Sequence, residues 1–241
     1  MNTHIARGSL FVGALAVLCS LLFALPASAA YDDCGKQTFC LYTGEGGAGT
    51  AQRLPLDAAA KATSYDSAWN EKALSLANNT PYWACLYENT QYGGTVQIIK
   101  PNQSGDLARI TNAGSGGTLA AMVSSHKLSP SQAGCFTGFE RCEEGRLCLF
   151  REAGGRGQMT QLATDYRAYS GGWETGVHSV RNRTGRAVCF YDATDWTGQF
   201  ATGDKAYKVV RGDTTSLEGA FDGTFQSHRI LATPKDTVCP S

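Results

Sequence analysis

Phe39-Cys40-Leu41-Tyr42, Ala84-Cys85-Leu86-Tyr87, Leu147-Cys148-Leu149-Phe150 and Val188-Cys189-Phe190-Tyr191 are versions of one short apolar run, each ending on an aromatic ring. Seven residues beyond each ring stands a glycine: Gly49, Gly94, Gly157 and Gly198. Five residues beyond it stand Gly47, Tyr92, Gly155 and Trp196. Such runs read as strands, and the glycine-rich stretch after each reads as a folded hairpin. The last glycine supplies a positive φ that other residues resist. Each motif also places a serine in a later strand, at Ser75, Ser125, Ser179 and Ser227. Recurrence in register implies a hydroxyl that ties the hairpin to the last strand of its motif.

The motifs pair into two halves. Trp69-Asn70-Glu71-Lys72-Ala73-Leu74-Ser75-Leu76-Ala77-Asn78 lies over Trp173-Glu174-Thr175-Gly176-Val177-His178-Ser179-Val180-Arg181-Asn182, an offset of 104 residues that also relates Tyr87 to Tyr191. Ser125-His126-Lys127-Leu128 lies over Ser227-His228-Arg229-Ile230 at an offset of 102. The cysteines repeat likewise: Cys34, Cys40, Cys85 and Cys135, then Cys142, Cys148, Cys189 and Cys239, with gaps of 6, 45 and 50 followed by 6, 41 and 50. Each half is expected to close two bridges of its own. Three pairings are open within a half. The favoured one joins Cys34 to Cys40 and Cys85 to Cys135, and Cys142 to Cys148 and Cys189 to Cys239.

Composition agrees with a turn-rich β protein. Glycine is 28 of 241 residues, and only 17% of residues are charged. Basic and acidic residues number 21 each, which gives no reason to expect nucleic acid as a partner. Arg7, the apolar run Leu10 to Leu25 and Pro26-Ala27-Ser28-Ala29-Ala30 read as a secretory leader over residues 1–30. No other stretch is long and apolar enough to span a membrane. The expected organisation is a leader over 1–30, a first domain over 31–136, a short linker near Gly138 to Arg141 and a second domain over 139–241. The mature chain is expected to be secreted, extracellular, monomeric and free of the membrane.

The ring, the residue five on, the glycine seven on and the strand serine together resemble the βγ-crystallin Greek key. Four such motifs resemble two βγ-crystallin domains. The openings Cys34-Gly35-Lys36-Gln37-Thr38-Phe39-Cys40-Leu41-Tyr42 and Cys142-Glu143-Glu144-Gly145-Arg146-Leu147-Cys148-Leu149-Phe150 resemble the secreted microbial metalloproteinase-inhibitor family. The resemblance implies an all-β chain of two βγ-crystallin-like Greek-key β-sandwich domains in tandem. Little helix is expected beyond a turn near Asp57–Ala62, where helix formers follow Pro55.

It also implies an extracellular protease as partner, entered by a rigid protruding loop. That loop is expected at Ile98-Ile99-Lys100-Pro101, continuing into Asn102, with Ile98-Ile99 as apolar anchor and Pro101 as stiffener. The counterpart near Thr202–Lys205 lacks such an anchor. A second reading is an envelope- or glycan-binding, toxin-like or stress-resistant module, with Tyr82, Trp83, Trp173 and Trp196 as stacking surfaces. Trp69 and Trp173, equivalent by repeat, are better read as core.

An enzyme is not expected. The chain contains no H-E-x-x-H, G-x-S-x-G or P-loop sequence. The mature histidines are His126, His178 and His228, two of them at the same repeat position. No cofactor is expected. The segments where βγ-crystallins can hold calcium are degenerate: Leu74, His178 and Gln226 replace the hydroxyl ligand, and Ala120-Ala121 removes both acidic or amide positions. Asn78-Asn79-Thr80 and Asn182-Arg183-Thr184 spell glycan sequons, but turn chemistry accounts for them.

Overall fold

The computed structural model describes residues 31–57, 60–110, 118–198, 207–209, 212–235 and 239. The expected leader and the Thr202–Lys205 segment lie outside the described residues. Among the described residues no helix is long and apolar enough to cross a membrane.

In the first half the strands are β1 (Thr38–Tyr42), β2 (Ala51–Pro55), β3 (Lys61–Ala62), β4 (Ser75–Asn78), β5 (Trp83–Tyr87), β6 (Val96–Ile99), β7 (Gln103–Asp106) and β8 (Ser125–Ser129). In the second they are β9 (Leu147–Glu152), β10 (Arg156–Leu162), β11 (Ser179–Asn182), β12 (Val188–Tyr191), β13 (Tyr207–Val209), β14 (Thr214–Ser216) and β15 (Ser227–Ile230). The sheets run β2-β1-β4-β7 and β3-β8-β5-β6, then β10-β9-β11-β14 and β13-β12-β15. All pairings are antiparallel.

Each motif sends its third strand into the other motif's sheet. Thus β7 joins β4, and β3 joins β8. In the second half β14 joins β11, and an isolated bridge from Tyr166 to His228 stands where β3 meets β8. The chain is therefore all-β, with two βγ-crystallin-like Greek-key domains. Among the described residues the only helical elements are short 3-10 turns.

The helix formers near Asp57–Ala62 do not make the expected helical turn throughout. Lys61 and Ala62 are β3, paired with Lys127 and His126, while Ala58 and Ala59 lie outside the described residues. Strand exchange between the sheets overrides local propensity there.

The apolar runs supply two cores. Phe39, Leu41, Leu76, Leu86, Ile99 and Val123 are buried together in the first half. Leu147, Leu149, Val180, Val188, Phe190 and Phe225 are buried together in the second. Trp69 and Trp173 pack half-buried on these cores.

All four serines grip their hairpins. Ser75 Oγ donates to Gly44 O at 2.6 Å and accepts from Gly47 N. Ser125, Ser179 and Ser227 do the same between Asn89 O and Tyr92 N, Glu152 O and Gly155 N, and Ala193 O and Trp196 N. The glycines seven residues beyond the rings have φ of 79° at Gly49, 71° at Gly94, 68° at Gly157 and 108° at Gly198.

The hairpins need more than that one positive φ. Gly46-Gly47 and Gly154-Gly155 are left-handed as well, and in the other motifs the same conformation falls on Gln91-Tyr92 and Asp195-Trp196. A side chain at Gly94 would also meet Asn89 Nδ2 at 2.7 Å and Glu88 Oε2 at 3.0 Å. Gly94→Val is expected to destabilise the first domain by roughly 1–3 kcal/mol, read as the shift in its urea midpoint. An unchanged midpoint would remove the conformational reason for the glycine.

Candidate functional site

The expected loop splits into two parts. Ile98 and Ile99 are the end of β6, with exposures of 1% and 0%. Ile99 lies in the first core, while Ile98 packs with Cys85, Cys135, Tyr87 and Tyr92. Neither can anchor in a protease cleft, so that expectation is corrected. The physical reason is that β6 is covered on both faces, and a strand so covered reads as a continuous apolar run.

The exposed part is the turn that follows. Lys100 and Asn102 face solvent, Pro101 is half-buried, and Asn102 has φ of 55°. The Lys100 N–H donates to Gln103 Oε1 at 2.9 Å. Asn78 is fully buried below the turn, and its Nδ2 donates to Lys100 O at 2.9 Å and to Tyr82 O at 2.8 Å. Its Oδ1 accepts from Thr80 Oγ1 at 2.6 Å.

One buried amide thus holds two chain segments at fixed spacing, and the first sequon is the clamp that does it. Asn182 repeats the clamp, donating to Arg186 O at 2.7 Å and to Val209 O at 3.0 Å. Beside the turn, Tyr82 lines a recess of about 250 Å³ together with Leu56, Ala60 and Leu128.

A short and a long bridge staple each half. Cys34–Cys40 and Cys142–Cys148 close at Cα separations of 6.0 and 5.8 Å. Cys85–Cys135 and Cys189–Cys239 each close 50 residues of sequence. Cys85 lies opposite Ile98 in the β5–β6 pair, so the long bridge of the first domain is anchored one strand from the turn.

The aromatic residues offered for stacking are already covered in part. Arg167 and Arg229 lie over the Trp196 ring, with Cζ 4.2 and 4.7 Å from its centroid. The Trp196 indole N–H donates to His228 O at 3.0 Å. Arg151 lies 4.5 Å from the Trp173 centroid, and Trp83 packs on the cluster around Cys85 and Cys135.

At the degenerate calcium segments, His178 Nδ1 pairs with Asp222 Oδ1 at 2.6 Å. Among the described residues no group of three or more His, Cys, Asp or Glu is placed to hold a metal.

Two arrangements were not read from the sequence. The first joins the halves. The hairpin from Glu88 to Thr95 docks on the hairpin from Glu152 to Gly157. Glu152 accepts from Gly94 N at 2.9 Å, and Gln91 Oε1 accepts from Met159 N at 3.1 Å and from Arg141 Nη1 at 3.2 Å. Arg141 also donates to Gly155 O and Gly157 O. Lys127, buried beside it, pairs with Glu140 at 2.8 Å; burial pushes its ammonium pKa down.

The second is a buried tyrosine–histidine pair in each domain. Tyr65 Oη meets His126 Nδ1 at 2.5 Å, and Tyr169 Oη meets His228 Nδ1 at 2.8 Å. Tyr65 and Tyr169 are separated by the same 104 residues as the motif rings. That spacing, set beside the repeated histidine, is the signal that could have revealed the pairs.

A family model described as peptidase inhibitor family I36 matches residues 27–99 and 137–202, one stretch in each half. No curated protein sequence matches the chain. Among solved structures the chain is similar to Geodin, a βγ-crystallin from Geodia cydonium, at 12% identity and a TM-score of 0.37, covering 81% of this chain and 100% of that one. It is also similar to a βγ-crystallin from Ciona intestinalis, at 16% identity and a TM-score of 0.29, covering 36% of this chain and 99% of that one.

Proposed function

The chain belongs to peptidase inhibitor family I36, and from that premise we propose that it is a secreted, monomeric, disulfide-stabilised inhibitor of an extracellular metallopeptidase, acting through the turn Lys100-Pro101-Asn102. The observation that carries this reading is the Asn78 clamp. A fully buried amide holds the Lys100 and Tyr82 carbonyls from below, while the Lys100 side chain projects into solvent.

An inhibitory turn must bind like a substrate without the disorder of one. Each side chain or loop segment already immobilised before binding saves a fraction of the ordering cost. Pro101 restricts the backbone at the tip, and the bridge at Cys85 stiffens the strand paired with the one leading into it. The recess beside Tyr82 can receive an apolar side chain from the rim of the partner. Hydrolysis is not part of the role: the family is one of inhibitors, so its contribution is occupancy of another protein's cleft.

The test is a titration of residues 31–241 against a thermolysin-like metallopeptidase, with a trypsin-like serine peptidase alongside. The expected result is saturable inhibition of the metallopeptidase, with Lys100→Ala and Pro101→Gly each raising the inhibition constant at least tenfold, about 1.4 kcal/mol. Lys100 is exposed and Pro101 half-buried, and an unchanged urea midpoint checks that each variant is folded. Full inhibition by both variants would move the contact surface elsewhere. No inhibition of either enzyme class would overturn the reading.

A further inference from the structure

We propose that the cleft between the two halves, about 680 Å³ in volume, is a binding site for an acidic sugar, a hydroxylated ring that carries an anionic group. Its walls come from both halves. The first half supplies Lys61, Thr63 and Ser64 from β3 and the residues after it, and Thr90 and Gln91 from its second hairpin. Arg141 enters from the link between the halves, and Met159 from β10. Domain interfaces are a common place for small-molecule sites, whose volumes run roughly from 300 to 1,000 Å³. The Lys100 turn lines no part of this cleft, so the inference does not rest on the peptidase reading.

The walls are fixed before anything enters. Gln91 N donates to Thr63 O at 2.6 Å, which holds the hairpin against the chain leaving β3. Gln91 Oε1 accepts from Arg141 Nη1 at 3.2 Å and from Met159 N at 3.1 Å. Arg141 Nη2 donates to Gly155 O at 2.7 Å and to Gly157 O at 2.9 Å, and its Nε donates to Gly138 O at 3.2 Å. Lys61 and Ala62 are paired with Lys127 and His126 in the sheet. Such a site saves the cost of ordering its own walls.

Charge selects an anion. Lys61 and Arg141 are the ionic side chains of the lining, and no carboxylate stands among them. Neither cation has an ion pair among the described residues, and the Arg141 guanidinium is held by neutral oxygens alone. The carboxylates that act on Arg141 from further away are matched by other cations, Glu140 by Lys127 at 2.8 Å and Glu152 by Arg156 at 3.4 Å. A cleft lined by charge of one sign concentrates ligands of the other.

The remaining groups select a sugar. Among the described residues the side-chain hydroxyls of Thr63, Ser64 and Thr90 and the Nε2 of Gln91 have no hydrogen-bond partner. A hydroxyl both donates and accepts, so these groups match the hydroxyls of a sugar ring. Met159 gives the C–H face of the ring an apolar wall. A bare anion would leave the hydroxyls to water, and a neutral sugar would leave both cations without a counterion. Lys61, Thr63, Ser64 and Thr90 are exposed, so the cleft opens to solvent and admits a free sugar or the end unit of a chain.

The test follows the Thr63 and Ser64 amide and Gln91 side-chain resonances of residues 31–241 as glucuronate, glucose or acetate is added at constant ionic strength. Saturable shifts are expected with glucuronate, and about tenfold weaker binding or less with glucose, which lacks the charge, and with acetate, which lacks the ring. Lys61→Gln, on an exposed side chain, is expected to weaken glucuronate binding about tenfold. Ser64→Ala, outside the strands, is expected to weaken it while leaving acetate unchanged. Unchanged Gly94 amide shifts check that each variant is folded. A hyaluronan tetrasaccharide separates the two sources: tighter binding than glucuronate assigns the site to the end of a chain, equal or weaker binding to the free sugar, and both uphold the proposal. No shift at millimolar glucuronate, glucose or acetate binding as tightly as glucuronate, or full binding by Lys61→Gln overturns it.

Discussion

Replacing Cys85 and Cys135 together by alanine is expected to lower the unfolding free energy of the first domain by about 4 kcal/mol. The bridge closes 50 residues, and loop-closure entropy grows with the logarithm of that length. Both half-cystines are fully buried against Tyr87, Tyr92 and Ile98, so the substitution also loosens a packed cluster beside the Lys100 turn. The same replacement at Cys34 and Cys40 closes only 6 residues and is expected to cost about 2 kcal/mol. Hydrogen exchange at the β5 and β1 amides, compared with wild type, separates the two effects. Equal losses would show that packing rather than chain entropy sets the contribution. A metallopeptidase titration of the Cys85/Cys135 variant should also show weaker inhibition, because the strand that feeds the turn is less rigid.

Acid should destabilise the second domain through His228. Burial holds its imidazole pKa down to about 4, with the Thr164 carbonyl and Asp165 opposing the shift only in part. The hydrogen bonds suit the neutral ring. Nδ1 accepts from the Tyr169 hydroxyl, whose own pKa burial pushes well up, and Nε2 donates to Thr164 O at 2.9 Å. A histidine with a depressed folded pKa contributes stability that is fully present above its unfolded value of about 6.5 and lost as pH falls through the folded one. Between pH 6.5 and 4 the loss is roughly 3 kcal/mol. Urea unfolding at pH 7 and pH 4, followed by exchange of β12 and β15 amides, measures it. His228→Phe removes the titrating ring and should flatten the slope over that window. An unchanged slope would place the acid sensitivity on other groups.

Much of the fold was legible because its signals are local and repeated. An aromatic at a strand end, a glycine seven residues on and a serine several strands later each answer a backbone requirement that no other residue type meets as cheaply. Gly94 needs its positive φ, and Ser125 ties the hairpin through Asn89 O, whatever surrounds the domain. Repetition turned four weak signals into one strong one. The candidate site was less legible. Ile98-Ile99 carries no periodicity that separates an exposed anchor from a strand covered on both sides.

By itself the sequence determined the four motifs, their grouping into two halves and the all-β class, since each rests on short-range backbone chemistry. Tertiary structure decided where side chains face. It buried Ile98 and Ile99, moved the exposed segment to Lys100-Pro101-Asn102, and turned the Asn78 sequon into a clamp on that turn. It also decided that the Glu88–Thr95 hairpin is covered by Glu152 and Arg141, while its counterpart at Thr194–Trp196 keeps exposed charged side chains around its ring. Near-identical local sequences met different neighbours, and burial is a property of the neighbours rather than of the motif.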